Sequence, residues 1–288
     1  MNKSITKKKK IIILIASILA IVFVVGLSIG FIIYSNTDEY IFLTEESRTS
    51  VNIVGIRKPS ISHLVIPEEI NGKPVTSIGE KAFYELKQLK SVTMPDTVTL
   101  IRSDAFAGCT SLEEVILSKN LKTIGDNCFN GCTSLKSITI PDNVSVIGIK
   151  AFLGCTSLTE VSIPTSVSTV GSSSFRGCTS LKTLFISLYV EHIDQFAFAD
   201  CTALEKVTFG EGAERLSHGA FQNCPKLTRI TLPLSLAYLG EGVFQDCTSL
   251  TIYSKGPYEP SGWNSNWAYG FEGEVIWDYV PPVPSPNK

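Results

Sequence analysis

Phenylalanine recurs at a constant interval of 23 residues through most of this chain. The members of the series are Phe83, Phe106, Phe129, Phe152, Phe175, Phe198, Phe221 and Phe244. A fixed period of this length is typical of repeat architectures, in which one unit cannot bury its apolar side except against neighbouring copies of itself. The sequence therefore predicts a solenoid in which each unit lies on an equivalent unit.

Each unit is predicted to contain one short strand and one short helix. Apolar residues two apart, such as Val161 and Ile163 before Pro164, indicate a strand with one buried face. Gly154, two residues after Phe152, suits the end of a helix, and Gly148, four residues before Phe152, suits its start. We predict an α/β repeat solenoid, a right-handed superhelix of about eight 23-residue strand-plus-short-helix units.

The cysteines follow the same period, which argues for packing rather than chemistry. Seven of the eight lie three residues after a phenylalanine, and the first unit has Leu86 in that slot. Such a column favours buried free thiols, although consecutive cysteines would also lie within disulfide range. One cysteine per unit lacks the short spacings of a metal site, so no metal and no cofactor are predicted.

The N-terminal part of the chain differs from the repeats. Residues 11–34 are apolar and uncharged, and five lysines precede them. This pattern predicts a transmembrane signal anchor with a cytoplasmic N-terminus and extracellular repeats in a single-pass protein of the cell membrane. The alternative is a signal peptide that is cleaved, which would give a secreted protein.

The unit pattern IGxxAFxGCxSLxxxxIPxxVxx resembles leucine-rich repeats of the BspA type over about residues 51–278. Residues 62–79 resemble the opening segment of that family, and residues 252–279 resemble its closing cap. The resemblance implies a leucine-rich-repeat protein of bacterial surfaces that binds protein ligands on host or neighbouring cells.

The predicted organisation has seven segments. They are a basic tail (1–10), the transmembrane anchor (11–34), a linker (35–50), an N-terminal cap (51–77), the leucine-rich repeats (78–250), a C-terminal cap (251–279) and a disordered tail (280–288).

Catalysis and nucleic-acid binding find no support in the sequence. It contains no nucleophile motif, no metalloprotease motif and no phosphate-binding glycine loop, so we predict that the protein is not an enzyme. Beyond residue 34 acidic residues outnumber basic ones, so the sequence shows no excess of positive charge that would attract nucleic acid. The oligomeric state is left open.

The outward positions of the strands form the predicted working surface. Phe185 replaces the threonine or serine found in most units, and Leu188 and Tyr189 follow it closely. Exposed aromatic residues on a rigid sheet are typical partner anchors, although local repacking would also explain them. The candidate partner-binding residues are Phe185, Leu188, Tyr189, Ile116, Lys206 and Arg229.

Three functions are consistent with the sequence. Protein recognition or adhesion is favoured, and a structural or envelope scaffold is the alternative. The tryptophans of the C-terminal segment allow a third hypothesis, glycan binding, but covering the open end of the solenoid explains them with fewer assumptions.

Overall fold

The computed structural model describes residues 31–37, 40–57 and 60–280, with side chains from residue 42 onward. The chain divides into two compact units, Met1–Phe31 and Ile32–Lys288, and all described residues except Phe31 belong to the second. This second unit is a β-solenoid of about ten coils.

Short strands make up the regular secondary structure of the described chain. They are β1 (Phe31–Thr37), β2 (Tyr40–Glu46), β3 (Val51–Arg57), β4 (His63–Val65), β5 (Glu69–Ile70), β6 (Lys73–Ile78), β7 (Ser91–Thr93), β8 (Leu100–Ile101), β9 (Glu114–Ile116), β10 (Thr123–Ile124), β11 (Val146–Ile147), β12 (Glu160–Ile163), β13 (Thr169–Val170), β14 (Thr183–Ile186), β15 (His192–Ile193), β16 (Lys206–Phe209), β17 (Arg215–Leu216), β18 (Arg229–Leu232), β19 (Tyr238–Leu239), β20 (Thr251–Ser254) and β21 (Glu274–Ile276).

Two sides of each coil carry these strands. One side is a 12-stranded sheet in the order β1-β2-β3-β6-β8-β10-β11-β13-β15-β17-β19, with β5 paired to β6. The other side is divided into three sheets of three strands, β4-β7-β9, β12-β14-β16 and β18-β20-β21. Within β12-β14-β16 the partners are parallel and one period apart, so Phe185 lies between Ser162 and Thr208.

The third side of the coil is where the predicted fold class is wrong. No described residue is helical, and the segments expected to be helices are successive turns. Lys150 and Gly154 have φ values of 57° and 68°, which a right-handed helix cannot contain. The N–H of Phe152 donates to the carbonyl of Ser174 in the next coil, at 2.7 Å, instead of to its own segment. The units are therefore two strands and a turn segment, and the protein is all-β where it is described.

The glycine predicted to start the helix has a different role. The φ of Gly148 is not positive, and its N–H donates to the carbonyl of Ile124 in the preceding coil, at 2.9 Å. A Cβ at this position would lie 2.6 Å from backbone atoms of Gly125 and Asp126. Glycine is needed here because two coils approach each other closely.

The predicted transmembrane helix is also contradicted. The last four residues of the 11–34 segment, from Phe31 on, form part of β1, which pairs with β2. Across the ranges described, no helix has the length and apolar character needed to cross a membrane. The single-pass membrane prediction is corrected accordingly, and residues 11–30 of that segment lie outside the described residues.

The phenylalanine series forms one continuous file inside the solenoid, as the 23-residue period predicts. All eight side chains are fully buried. Ring centroids of consecutive members are 5.0 to 6.0 Å apart, and neighbouring ring planes lie within 23° of parallel. Such offset stacks combine large apolar burial with favourable ring geometry, so this file is the centre of the core.

A second file is formed by seven of the cysteines, and all eight cysteines are buried free thiols. In the seven that follow a phenylalanine, Sγ lies 3.1 to 3.4 Å from the carbonyl oxygen of the phenylalanine in the preceding coil. Burial raises the pKa of Cys109 and of Cys178 to about 12. Cys109 and Cys178 are therefore neutral core side chains, whereas a hydrogen bond with Cys224 lowers the pKa of Cys247. All seven thiols lie where they can act as weak hydrogen-bond donors between coils.

Ser174 is an imperfection in this core. Its hydroxyl is buried and has no hydrogen-bond partner, and most other coils have alanine in its slot. An unpaired buried hydroxyl costs about 1 to 3 kcal/mol, so Ser174→Ala should raise the free energy of unfolding by about 1 kcal/mol in urea titrations. Ser187→Ala is the control, because buried Ser187 donates to the carbonyl of Pro164 at 3.0 Å and should lose stability. Destabilisation by both substitutions would contradict this account.

Aromatic residues cover the C-terminal end of the solenoid. Trp263 and Trp267 are 7 and 6% exposed, and their rings pack edge to face at 5.2 Å. Trp263 also contacts Trp277, and its indole N–H donates to the carbonyl of Leu236. These rings fill the end of the core, where a sugar ring cannot reach the two buried indoles.

Candidate protein-binding face

The three three-stranded sheets present one outward face, which we call the strand face. Along β14, Leu184 and Ile186 point into the core, whereas Thr183 and Phe185 point outward. The same alternation holds along β12 and β16 except at Phe209, which is half-buried. Since the strands are parallel and in register, each outward position continues as a straight column across the face.

The coil that contains β14 exposes three large apolar side chains close together. Phe185 is 51%, Leu188 52% and Tyr189 58% exposed. Phe185 projects from the strand face, between Ser162 and Thr208 in its column. Leu188 and Tyr189 lie at the corner that follows the strand. We call these three residues the apolar patch.

The corner of this coil differs from that of several other coils in its side-chain hydrogen bonds. At the position equivalent to Tyr189, Asn120 and Asn143 each donate a side-chain N–H to a carbonyl of the preceding coil, at 2.9 and 2.8 Å. Ser166 and Ser235 donate their hydroxyls in the same way. The Tyr189 ring makes no such bond and is exposed instead, whereas Ser187, two residues earlier, donates to the carbonyl of Pro164 in the preceding coil.

Next to the apolar patch the strand face is interrupted. No backbone hydrogen bond joins β16 to β18 within the described chain, although they are consecutive strands of the face. The interruption coincides with Phe209, which stands in a slot held by Ile186 and Leu232 in the adjacent coils and packs edge-on against Phe221. An open groove of about 450 Å³ lies at this point. The residues that line it include Lys206, Phe209, Glu211, Arg229, Pro233 and Lys255.

Arg229 is held in place by two rings on the far side of the groove. Its guanidinium carbon lies 4.1 Å from the centroid of Tyr253 and 5.2 Å from that of Tyr279. It also donates a hydrogen bond to the Tyr279 hydroxyl at 2.5 Å. Stacking of this kind orients the guanidinium without neutralising its charge.

The structure places five of the six predicted residues in three consecutive coils and separates the sixth. Phe185 lies on β14 beside the strand of Lys206, and Arg229 lies on β18, across the groove from Lys206. Ile116 is exposed in the same column as Phe185 but lies on β9, three coils away. It borders a second groove of about 600 Å³, at another interruption of the face around 137–140.

Tyr253 and Tyr279 are the functional candidates that sequence reasoning missed. Tyr253 falls in the Phe185 column only because the last unit is one residue short, which shifts the register. Tyr279 lies beyond the repeats, so the period carries no information about its neighbours.

Phe196 marks a different surface, on the turn side of the coil. It has a φ of 56°, a left-handed conformation that is unusual for an aromatic residue. Its ring packs edge-on against His218 at 4.8 Å, and the Arg176 guanidinium lies 5.3 Å from its centroid. Phe196 itself is half-buried, and the exposed Ile149 lies two coils away on that side.

Comparison with known proteins identifies the repeat family. The model of the BspA-type leucine-rich repeat region (six copies) matches residues 57–182 and 171–254, which together make up more than half of the chain. The chain belongs to the BspA-type leucine-rich-repeat family. Proteins with this fold are typically binding scaffolds, consistent with protein–protein recognition.

Solved structures of bacterial leucine-rich-repeat proteins are similar to this BspA-type chain. A T. pallidum leucine-rich-repeat protein is 29% identical, with a TM-score of 0.59 and coverage of 70% of this chain and 90% of that one. A Bacteroides ovatus protein is 29% identical, with a TM-score of 0.61 and coverage of 84% and 70%. A leucine-rich cell surface protein from Faecalibacterium prausnitzii is 26% identical, with a TM-score of 0.53 and coverage of 82% and 79%. No curated protein matches the sequence.

Proposed function

We propose that this BspA-type protein recognises a protein partner through the strand face, with the apolar patch of Phe185, Leu188 and Tyr189 as its anchor. The observation that carries the proposal is the exposure of these three side chains within one coil, at positions that are polar in most other coils. Rigid aromatic anchors of this kind contribute most of the affinity in protein interfaces.

The residue type at position 189 supports the same proposal. Asparagine and serine at the equivalent position join other coils to their neighbours, whereas this coil uses Ser187 for such a bond. Position 189 is therefore free to carry an exposed tyrosine, which adds apolar area to the solvent. An exposed apolar cluster of this kind is expected where the surface binds something.

Adhesion is the more specific form of the proposal, with the partner carried on a host or neighbouring cell. Its support is the similarity to the F. prausnitzii protein, which is described as a cell surface protein. Fluorescently labelled protein should then bind intact partner cells, and protease treatment of those cells should remove the binding.

The test compares two variants with matched loss of exposed apolar surface. Phe185→Ser with Tyr189→Ser should reduce affinity for captured protein partners by roughly 30-fold or more, because two anchors are truncated. Tyr84→Ser with Ile149→Ser is the control, since these exposed residues lie off the strand face. Quantitative affinity capture followed by titration of each recovered partner gives the measurement. Equal recovery by both variants would refute recognition through this face.

A further inference from the structure

We infer that the groove between β16 and β18 receives an acidic, extended segment of the protein partner, whose carboxylates bind Lys206 and Arg229. This inference rests on the proposed function and specifies the chemistry of the partner. The groove adjoins the apolar patch on the same face, so one partner can engage both.

Two cations in the groove lack a carboxylate partner. No carboxylate of the described residues forms an ion pair with Lys206 or Arg229, although six ion pairs occur outside the groove. Lys255, the third cation of the groove, is paired with Glu211. Glu205 also lines the groove and partly offsets the positive charge of the cations, but positive charge remains in excess there.

Arg229 is prepared for a carboxylate in particular. Stacking over Tyr253 and the bond to Tyr279 fix the guanidinium plane and use one of its five donors. The remaining donors match the two oxygens of a carboxylate, and a guanidinium fixed in this way loses little entropy on binding.

The walls of the groove favour a peptide over a small anion. Phe209 and Pro233 line it with apolar surface, and Phe185 is one strand away beyond Thr208. In an extended chain successive side chains point to opposite sides. Acidic residues at alternate positions can therefore face the cations, while the apolar residues between them contact the apolar walls. A free inorganic anion would leave the apolar surface unused.

The probe for the experiment is a fluorescein-labelled peptide of alternating glutamate and valine, and fluorescence polarisation measures its binding to the full chain. We expect saturable binding that weakens at least tenfold in Lys206→Gln and in Arg229→Gln and as salt rises from about 20 to about 300 mM. The same peptide with glutamine in place of glutamate should not bind.

The control is Arg215→Gln, because Arg215 stacks over Tyr238 at 4.1 Å in the same way but lies on the other sheet, in β17. It should leave peptide binding unchanged. Lys206→Gln does not touch the rings that hold Arg229, so it separates groove binding from damage to the C-terminal cap.

Several outcomes would overturn the inference. These are no binding of the acidic peptide, equal binding by the Lys206→Gln variant, or displacement of the peptide by inorganic phosphate at equal concentration, which would indicate a simple anion site. If any of these results is obtained while the Phe185 and Tyr189 variant still loses partner capture, the proposed function stands. Only the binding of an acidic segment in the groove is then ruled out. Capture that survives loss of the apolar patch would instead refute the proposed function.

Discussion

Above pH 9 the protein is expected to lose stability steeply. The ordinary pKa of a cysteine thiol is 9.0, and burial raises the pKa of Cys109 and Cys178 to about 12. Desolvation also raises the pKa of Cys128, Cys132, Cys155 and Cys201. Between these values the unfolded chain releases thiol protons that the folded chain retains. Folding stability is therefore full below pH 9 and falls as the pH rises towards 12.

The expected size of this effect is large because the thiols act together. Cys109 and Cys178 each contribute a loss of about 1.4 kcal/mol per pH unit, and the other raised thiols act in the same direction, so the loss over about two pH units is a large part of the stability of an ordinary domain. Urea unfolding midpoints measured from pH 8 to 11 by circular dichroism would show the slope, and native thiols should react slowly with a disulfide reagent at pH 8.

The control for the alkaline effect is a substitution that already occurs at the cysteine slot of another coil. The first coil has Leu86 in the cysteine slot, so Cys109→Leu is expected to fold. Its stability should fall less steeply with pH, by the contribution of one thiol, about 1.4 kcal/mol per unit. An unchanged slope in this variant would show that lysine or tyrosine titration, rather than the thiol file, governs alkaline unfolding.

The core was predictable because stacking forces every coil to repeat its buried pattern. A period of 23 residues assigns Phe152, Cys155 and Val161 to the interior, and all three are buried. Such a register follows from packing alone, since a slip of one residue would exchange buried and exposed positions along the strand.

The helices were wrongly predicted for a local reason. Glycine, asparagine or aspartate two residues after phenylalanine does mark a left-handed residue, as at Gly154 and Asn223. A second left-handed residue lies two positions before each phenylalanine. Asp104, Asn127, Gly219 and Gly242 favour that conformation, but Lys81, Lys150, Ser173 and Phe196 do not. Hydrogen bonds between coils hold it in every unit, so the residue types of this column predict it only in part.

The candidate site was predictable in one part only. Phe185 stands out because the period provides a column in which it differs from its neighbours. The groove depends on a break between β16 and β18 and on Tyr279, which has no counterpart in the period. A repeat therefore reveals departures within its own columns but not the contacts made by residues outside it.

Removing one ring from the phenylalanine file should destabilise the solenoid strongly. Phe152 lies midway along the file, 5.4 Å from Phe129 and 5.0 Å from Phe175, and it is fully buried. Phe152→Ala would leave a cavity between two coils. Backbone hydrogen bonds between coils hold the neighbouring chain segments in place, so they cannot collapse into the cavity. We expect a loss of about 3 to 5 kcal/mol in the free energy of unfolding, measured by urea titration.

A matched control exists because the chain has an exposed phenylalanine in the next coil. Phe185→Ala removes the same atoms from the strand face, where half of the side chain already contacts solvent, and should change the free energy of unfolding by no more than about 0.5 kcal/mol. If the two variants lost the same stability, the file would not be the centre of the core. If only Phe152→Ala lost stability while Phe185→Ala kept its fold and lost its partner, the two phenylalanines would differ as the structure requires: one supports the coils and the other is free to bind.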